Sequence, residues 1–178
     1  MSAPRLALRV GGTSDAKAMH TLIAANVAAG HLLPRSLDEV RRHAARFLVA
    51  VQGRKVVGCA ELAPLSPRLA EVRSLAVHES ARHRRIGTHL VGELRRRAQA
   101  AGYQQLCVMT HAPEYFANLG FSIVPHLWVQ EKVFTDCVMC DRFRRCGQFA
   151  MIVSLDRHVD AVVPVADPRS TTIALQVA

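Results

Sequence analysis

The sequence predicts a mixed α/β fold in which helices cover both faces of a central sheet. Short apolar stretches typical of strands, such as "RLALRV" (5–10) and "QQLCVMT" (104–110), recur along the chain between segments with helical spacing. The resulting order is strand, two helices, three or more strands, helix, strand, helix and strands. Half of the 178 residues are hydrophobic, which is enough to bury the core of one ordinary domain.

The first two predicted helices have recognisable ends. One begins at Thr13 or Ser14, either of which is a suitable cap, and ends at Gly30. The other lies in "PRSLDEVRRHAARF", where Ser36 is the cap and Glu39, three residues later, completes a capping box.

Strands and a third helix follow. The segment "RFLVAVQGRKVVGCAELAPL" is typical of a β-hairpin that turns near Gln52 and Gly53, and "LAEVRSLAVH" predicts the next strand. A helix over about 86–101 carries apolar residues at helical spacing, and Gly102 ends it.

The last third of the chain is less regular. A short helix in "APEYFANLGF" ends at Gly120, and the strands "FSIV" and "QFAMIVSL" flank an irregular, cysteine-rich stretch over 126–147. We expect one domain over residues 1–156. The tail over 157–178 is weakly patterned and is expected to add a strand, to serve as a dimer arm or to be disordered.

Charge and composition restrict the function. The formal net charge of +9 favours an anionic partner, such as a phosphate ligand, an acidic substrate or nucleic acid. No run approaches 18 apolar residues, so we expect no membrane span, and the start has too short an apolar stretch for a secretory signal. With five cysteines and no signal, the sequence predicts reduced thiols in the cytoplasm.

A basic run, "ARHRRIGTHL", follows a strand and opens a helix. The first N–H groups of a helix lack partners and the helix dipole adds positive charge, so this position suits a diphosphate. Nucleic-acid binding is the rival interpretation. It is disfavoured because Arg95, Arg96 and Arg97 fan around the helix and because one Trp and two Tyr offer few stacking partners.

This loop and the order of elements over roughly 5–155 resemble the GNAT family of acetyl-CoA-dependent N-acetyltransferases. In that family the backbone of a loop Arg/Gln-x-x-Gly-x-Gly/Ala holds the pyrophosphate of CoA. Arg82 and Gly87 match the pattern, whereas Arg85 stands where the first glycine is expected. The resemblance implies a mixed, mostly antiparallel sheet of about 6–7 strands and acetyl-CoA as co-substrate. It implies cofactor contacts at the strand end, the loop and one later helix: Leu75, Ala76, Val77, Arg82, His83, Arg84, Arg85, Ile86, Gly87, Thr88 and Phe116.

The segments "VVGCAEL", "EVRSLAV", "APEYFANLGF" and "FTDCVMCDRFRRCGQFAM" are similar to those of short, stand-alone relatives of N-acetylglutamate synthase. This narrower resemblance implies acetyl transfer to the α-amine of an amino acid, glutamate first, as the entry step of arginine synthesis. Another small amine, a protein N-terminus or a catalytically silent CoA binder are the alternatives. A polyamine is disfavoured because it would require an acidic pocket.

The resemblance also assigns catalytic roles. A protonated amine must lose its proton before it attacks the thioester directly, and Glu71 is the expected general base, acting through water. The alternative for Glu71 is an ion pair with Arg73. The tyrosine that many members use as an acid is replaced by Phe116, and Thr110 matches a hydroxyl that the synthases use instead. The alternatives are that Thr110 caps the next helix and that the thiolate leaves unaided.

The acceptor is expected at Arg35, at the backbone around Leu33 and at Ser74, because an arginine can bind a carboxylate bidentately. The alternative for Arg35 is a solvated loop residue. The arginine that clamps the glutamate side chain in the synthases is absent, since Gly147 and Phe149 occupy its place. Glutamine, aspartate or another amino acid therefore remains open, and the adjacent Arg144 and Arg145 are candidate replacements.

Three cysteines lie close together in the irregular stretch. Cys137, Cys140 and Cys146 form an incomplete set for a structural zinc site, which needs four ligands. We therefore expect no metal but partly buried thiols, with a zinc site completed by His126 or Cys107, or a redox pair, as the alternatives. The resulting prediction is a cytoplasmic enzyme with a small amino-acid substrate, without nucleic acid, membrane or metal, and with a homodimer as a further option.

Overall fold

The computed structural model describes residues 6–30 and 32–155, which form a seven-stranded sheet with helices on both faces. The order in the sheet is β1-β2-β3-β4-β5-β7-β6, and only β4 and β5 are parallel neighbours. The strands are β1 (Leu6–Val10), β2 (Phe47–Gln52), β3 (Lys55–Pro64), β4 (Leu69–Val77), β5 (Gln105–Thr110), β6 (Ser122–Val124) and β7 (Phe149–Ser154). The helices are α1 (Ala16–Ala28), α2 (Leu37–Arg42), α3 (Ile86–Ala100), α4 (Pro113–Ala117) and α5 (Gln130–Thr135).

The side chains of β2 alternate between two core clusters, one on each face of the sheet. On β2, Leu48 and Ala50 face the cluster formed with α3, whereas Phe47 and Val49 face the cluster formed with α1 and α2. The prediction of a mixed, mostly antiparallel sheet with helices on both faces is confirmed.

Local signals explain several boundaries. The Ser36 hydroxyl accepts a hydrogen bond from the Glu39 amide at 3.1 Å, so the predicted cap of α2 is confirmed. The predicted caps of α1 are wrong, because Thr13 and Ser14 lie in a 3₁₀ turn and α1 begins at Ala16. The Asp15 carboxylate binds the Gly12 amide at 2.8 Å and forms an ion pair with Arg9, which fixes this turn.

Two features of β4 create an opening in the sheet. Its pairing with β5 ends at Glu71 and Cys107, beyond which the two strands no longer pair. Between Arg73 and Ala76 it carries an extra residue relative to β3, and Ser74 adopts a positive φ of 54° there. Because a bulge of one residue reverses the alternation, Val72 faces α3 whereas Ala76 faces α1.

The irregular stretch over 126–147 is more ordered than the sequence predicts, because it contains α5 between short 3₁₀ turns. The predicted tail over 157–178 lies outside the described residues. Within the described ranges, no helix is long and apolar enough to cross a membrane.

Candidate active site

A cavity of about 1070 Å³ opens where β4 and β5 separate. Its walls come from the bulge of β4, the end of β5, the link between α1 and α2, helix α4 and the stretch that contains α5. The predicted catalytic and acceptor residues Leu33, Arg35, Glu71, Ser74 and Thr110 all line this cavity.

A cluster of four charged side chains, of which Glu71 and Lys132 are buried, forms part of the cavity wall. Arg73 donates to Glu71 Oε2 at 2.9 and 2.7 Å and to Asp136 Oδ2 at 2.6 Å. Lys132 Nζ lies 2.9 Å from Glu71 and 2.7 Å from Asp136. The alternative predicted for Glu71, an ion pair with Arg73, is therefore present, and Lys132 is a second cationic partner.

Mutual pairing favours the charged forms of Asp136 and Arg73. Burial opposes ionisation of Asp136, but the hydrogen bond and charge of Lys132, with the charge of Arg73, outweigh it and lower the pKa of the carboxyl. Burial likewise disfavours the charged form of Arg73, but Glu71 and Asp136 raise its pKa above the usual value. A site that holds two fixed charges of each sign can receive a zwitterion without leaving an unpaired charge.

Arg35 presents unused hydrogen-bond donors to the same cavity. One terminal nitrogen binds Glu39 at 2.9 Å, whereas Nε is buried and has no hydrogen-bond partner. The edge formed by Nε and the other terminal nitrogen is thus available for a carboxylate. Ser74 is 8% exposed, and Leu33 lies on the same wall.

Thr110 ends β5 beside the cavity. Its hydroxyl oxygen accepts a hydrogen bond from the amide of Ala112, the residue that precedes α4, at 2.9 Å. The predicted alternative, a helix cap, is wrong, because Ala112 is the cap residue of α4 and no side chain caps this helix. Among the described residues the hydroxyl proton has no acceptor, so it remains available for donation.

The basic loop before α3 forms a cradle of free backbone N–H groups. Within the described residues, the amides of 83–88 have no hydrogen-bond acceptor, and His83 and Arg85 adopt positive φ angles of 61° and 57°. Alternating left-handed residues ahead of a helix N-terminus point successive N–H groups at one concave anion site. The backbone of Arg85 is therefore left-handed, the conformation for which the missing glycine is favoured.

Two arginine side chains of this loop, those of Arg82 and Arg84, contact different neighbouring elements. Arg82 contacts Asn26 Oδ1 at 3.4 Å and Arg84 binds Gln52 Oε1 at 3.0 Å, so both flank the cradle. Of the other predicted cofactor residues, Leu75 and Phe116 line the cavity, whereas Ala76 is 1% exposed and faces α1. Its side chain is therefore a core side chain, which leaves only backbone contacts to a ligand.

The comparison with known sequences decides the family. The model of the acetyltransferase (GNAT) family matches residues 19–121. The chain belongs to the GNAT family. It is 29% identical over 155 residues to an uncharacterised N-acetyltransferase of Chlorobaculum tepidum, and the alignment covers 87% of this chain and 100% of that protein. It is 33% identical over 141 residues to an amino-acid acetyltransferase of Mycobacterium tuberculosis, or 76% of this chain and 78% of that protein.

Solved GNAT structures agree in fold. The crystal structure of Rv2747 from Mycobacterium tuberculosis, in complex with CoA, has a TM-score of 0.73 at 25% identity and covers 83% of this chain and 98% of that chain. N-acetylglutamate synthase from Neisseria gonorrhoeae has a TM-score of 0.75 at 21% identity, over 88% of this chain and 36% of that chain. The protein is thus an N-acetyltransferase with acetyl-CoA as acyl donor, and the free N–H groups before α3 fit the anionic cofactor.

Sequence reasoning missed two charged residues of the cavity wall, Lys132 and Asp136. Lys132 is 6% exposed in a stretch that was expected to be irregular. The available signal was the spacing of Lys132 and Asp136, since residues four apart share one face of a helix. The candidate replacements Arg144 and Arg145 are exposed and lie outside the cavity wall, whereas Arg142 belongs to it.

Cys137, Cys140 and Cys146 are free thiols on the wall of the cavity. Burial raises the pKa of the Cys137 thiol, which disfavours its thiolate form. Within residues 6–30 and 32–155, no group of three or more His, Cys, Asp or Glu side chains is arranged to hold a metal ion.

Proposed function

We propose that this GNAT enzyme transfers the acetyl group of acetyl-CoA to the α-amine of a small amino acid, with glutamate as the first candidate. One observation carries the proposal: the cavity at the fork of β4 and β5 combines the buried carboxylate of Glu71 with the unpartnered edge of Arg35. An amino acid offers the complementary pair, an amine to be deprotonated and a carboxylate to be bound.

Each residue of the cavity has a distinct proposed role. Glu71 receives the amine proton through water, because Arg73 and Lys132 already contact its carboxylate directly. Arg35 and the backbone at Leu33 hold the carboxylate, and Ser74 adds a hydroxyl from the bulge. Thr110 donates a hydrogen bond to the departing thiolate and so stabilises its charge, and solvent protonates the thiolate afterwards.

The proposed cofactor contacts are mainly backbone contacts. At Leu75, Ala76 and Val77, β5 no longer pairs with β4, and this open edge of β4 binds the pantetheine arm. The cradle from Arg82 to Thr88 binds the pyrophosphate. Phe116 packs beside the arm. Acetyl-CoA supplies the acyl group, and the protein orients it at the bulge of β4.

The relatives named amino-acid acetyltransferases support an amino-acid acceptor. The positions of the synthase clamp hold no cationic side chain here, since they are occupied by Gly147 and Phe149. Glutamine and aspartate are therefore the alternative acceptors. A cytoplasmic enzyme of arginine synthesis is the role that we propose if glutamate is the acceptor.

A panel of the twenty amino acids, assayed by release of free CoA thiol, tests this function. We expect turnover with glutamate, glutamine or aspartate. We expect none with their α-amides, in which an amide group replaces the α-carboxylate. Turnover with simple amines alone would exclude the amino-acid proposal, and failure to bind CoA in calorimetry would contradict the assignment of acetyl-CoA as donor.

The replacement Glu71→Gln tests the proposed base. It preserves the shape of the side chain and removes the proton acceptor, so we expect kcat to fall at least about 100-fold. CoA affinity should remain within about twofold, because the cradle lies at the far end of β4. The exposed Glu114→Gln serves as the matched control. An unchanged kcat would remove Glu71 from the mechanism.

A further inference from the structure

Tyr115 carries a buried hydroxyl that faces the Thr88 side chain but makes no hydrogen bond of ordinary length. Its Oη is inaccessible to solvent and has no hydrogen-bond partner, and the side chain lines the large cavity. Its ring meets Phe116 edge-on, with centroids 5.0 Å apart. A buried polar group without a partner is costly, so native proteins retain one where a water, an ion or a ligand satisfies it.

The position of this hydroxyl points to the phosphate end of the cofactor. A Cβ atom built on Gly87 would lie 2.7 Å from Tyr115 Oη and 3.9 Å from Val77 Cγ2. The hydroxyl therefore lies against Gly87 in the first turn of α3, and Val77 at the end of β4 approaches the same glycine. This first turn carries the free amides that form the anion cradle.

The hydroxyl is a donor under ordinary conditions. Burial raises the pKa of Tyr115, and the opposing effect of Thr88, which faces the hydroxyl, is smaller. A neutral phenol can donate its proton to a phosphate oxygen, which the neighbouring amides of α3 would contact from the other side.

We propose that Tyr115 is a cofactor-binding residue whose O–H donates a hydrogen bond to a phosphate oxygen of CoA, where the pantetheine arm joins the diphosphate. A role as acid for the thiolate does not fit. The hydroxyl lies against Gly87, which also approaches Val77 at the end of β4, whereas Ser74 in the bulge is three residues before Val77, a separation of roughly 10 Å along the strand.

Calorimetric titration of Tyr115→Phe with CoA and with pantetheine, which lacks the phosphates, tests the proposal without any acceptor. We expect CoA binding to weaken at least about 10-fold and pantetheine binding to remain unchanged, because only the hydrogen bond to a charged group is lost. Tyr103→Phe, which removes the hydroxyl of the other tyrosine, should leave both affinities unchanged.

Two outcomes would overturn the assignment. Unaltered CoA affinity would show that the hydroxyl does not reach the phosphates, and equal weakening for CoA and pantetheine would show a packing defect. The far-ultraviolet circular dichroism of the variant, recorded in parallel, reports whether its fold is intact. Since no acceptor is present, failure of the amino-acid panel leaves this result unaffected.

A spectroscopic titration supplies a second readout. In Tyr103→Phe, Tyr115 is the remaining tyrosine, and its ionisation is followed by absorbance of the phenolate. We expect saturating CoA to raise its pKa further, because a neighbouring phosphate disfavours the phenolate. A pKa that does not change, or that falls on CoA binding, would contradict the proposed contact.

Discussion

At the scale of single residues, the cradle before α3 depends on a strained backbone. Arg85 has φ 57° and ψ 17°, a left-handed conformation that costs an ordinary residue about 1–2 kcal/mol. Glycine occupies this conformation without that cost. The arginine thus occupies a glycine position at the expense of stability, and its amide remains free for the cofactor.

Arg85→Gly should therefore be neutral or stabilising by up to about 1 kcal/mol, because relief of strain exceeds or balances the added entropy of the unfolded chain. Arg82→Gly is the matched control, since Arg82 has φ −63° and gains no relief. We expect the control to lose about 0.5–1 kcal/mol in urea denaturation. Equal losses in the two variants would contradict a strained Arg85.

Gly87 is required for space and not for its backbone conformation, because its φ is not positive. A Cβ atom there would lie 2.7 Å from Tyr115 Oη but 3.6 Å from Cζ, which is an ordinary contact. We expect Gly87→Ala to lower the free energy of unfolding by about 1–3 kcal/mol. Adding Tyr115→Phe should restore most of this loss, as measured in a double-mutant cycle by thermal denaturation, and additive effects would contradict the contact.

At the scale of elements, α5 is attached to the sheet by charge as well as by packing. Lys132 joins this short helix to Glu71 on β4, and Asp136 at its end joins Arg73. A helix of six residues has little stability of its own, so its position depends on these tertiary contacts.

Lys132→Met should lower the free energy of unfolding by about 3 kcal/mol, because it leaves the buried Glu71 and the partly buried Asp136 with one cation fewer. Lys55→Met, at an exposed strand position, should change it by less than about 0.5 kcal/mol. Urea denaturation of both variants provides the comparison. A loss for Lys132→Met as small as the control's would mean that the cluster does not hold α5.

At the scale of the whole molecule, the stability of the protein depends on a carboxyl group beneath the site. Glu61 is 2% exposed, its Oε1 has no hydrogen-bond partner, and His43 Nδ1 lies 3.4 Å away. Burial raises the pKa of Glu61 above its usual 4.5, although Arg73 and His43 oppose the shift. The folded state therefore binds this proton more tightly than the unfolded state does.

It follows that the contribution of Glu61 to stability is fully present below about pH 4.5 and is lost as the pH rises through the folded-state pKa. Glu61→Gln removes this loss, so its stability relative to the wild type should rise between pH 4 and pH 8. Urea denaturation at several pH values measures the difference, with Glu114→Gln as an exposed control. A relative stability that falls with pH would mean that the ionised form of Glu61 is stabilised.

Most of the fold was predictable because its signals are local. The periodicity of α3, the alternation of β2 and the cap at Ser36 each depend on residues within a few positions of one another. The error at the start of α1 was local too. Thr13 and Ser14 were suitable caps, but the Asp15 carboxylate outcompeted them by binding both the Gly12 amide and Arg9. Helix α5 was missed because it is short and depends on tertiary contacts.

The sequence by itself determined the α/β architecture, the position of the basic loop before α3 and the candidate residues from Leu33 to Thr110. Only the tertiary structure decided what surrounds them. Lys132 reaches Glu71 across 61 positions of sequence, and the hydroxyl of Tyr115 on α4 meets Gly87 on α3. Periodicity reports which face of an element is buried. It does not report which distant side chain that face meets, because packing geometry and not local spacing sets that contact.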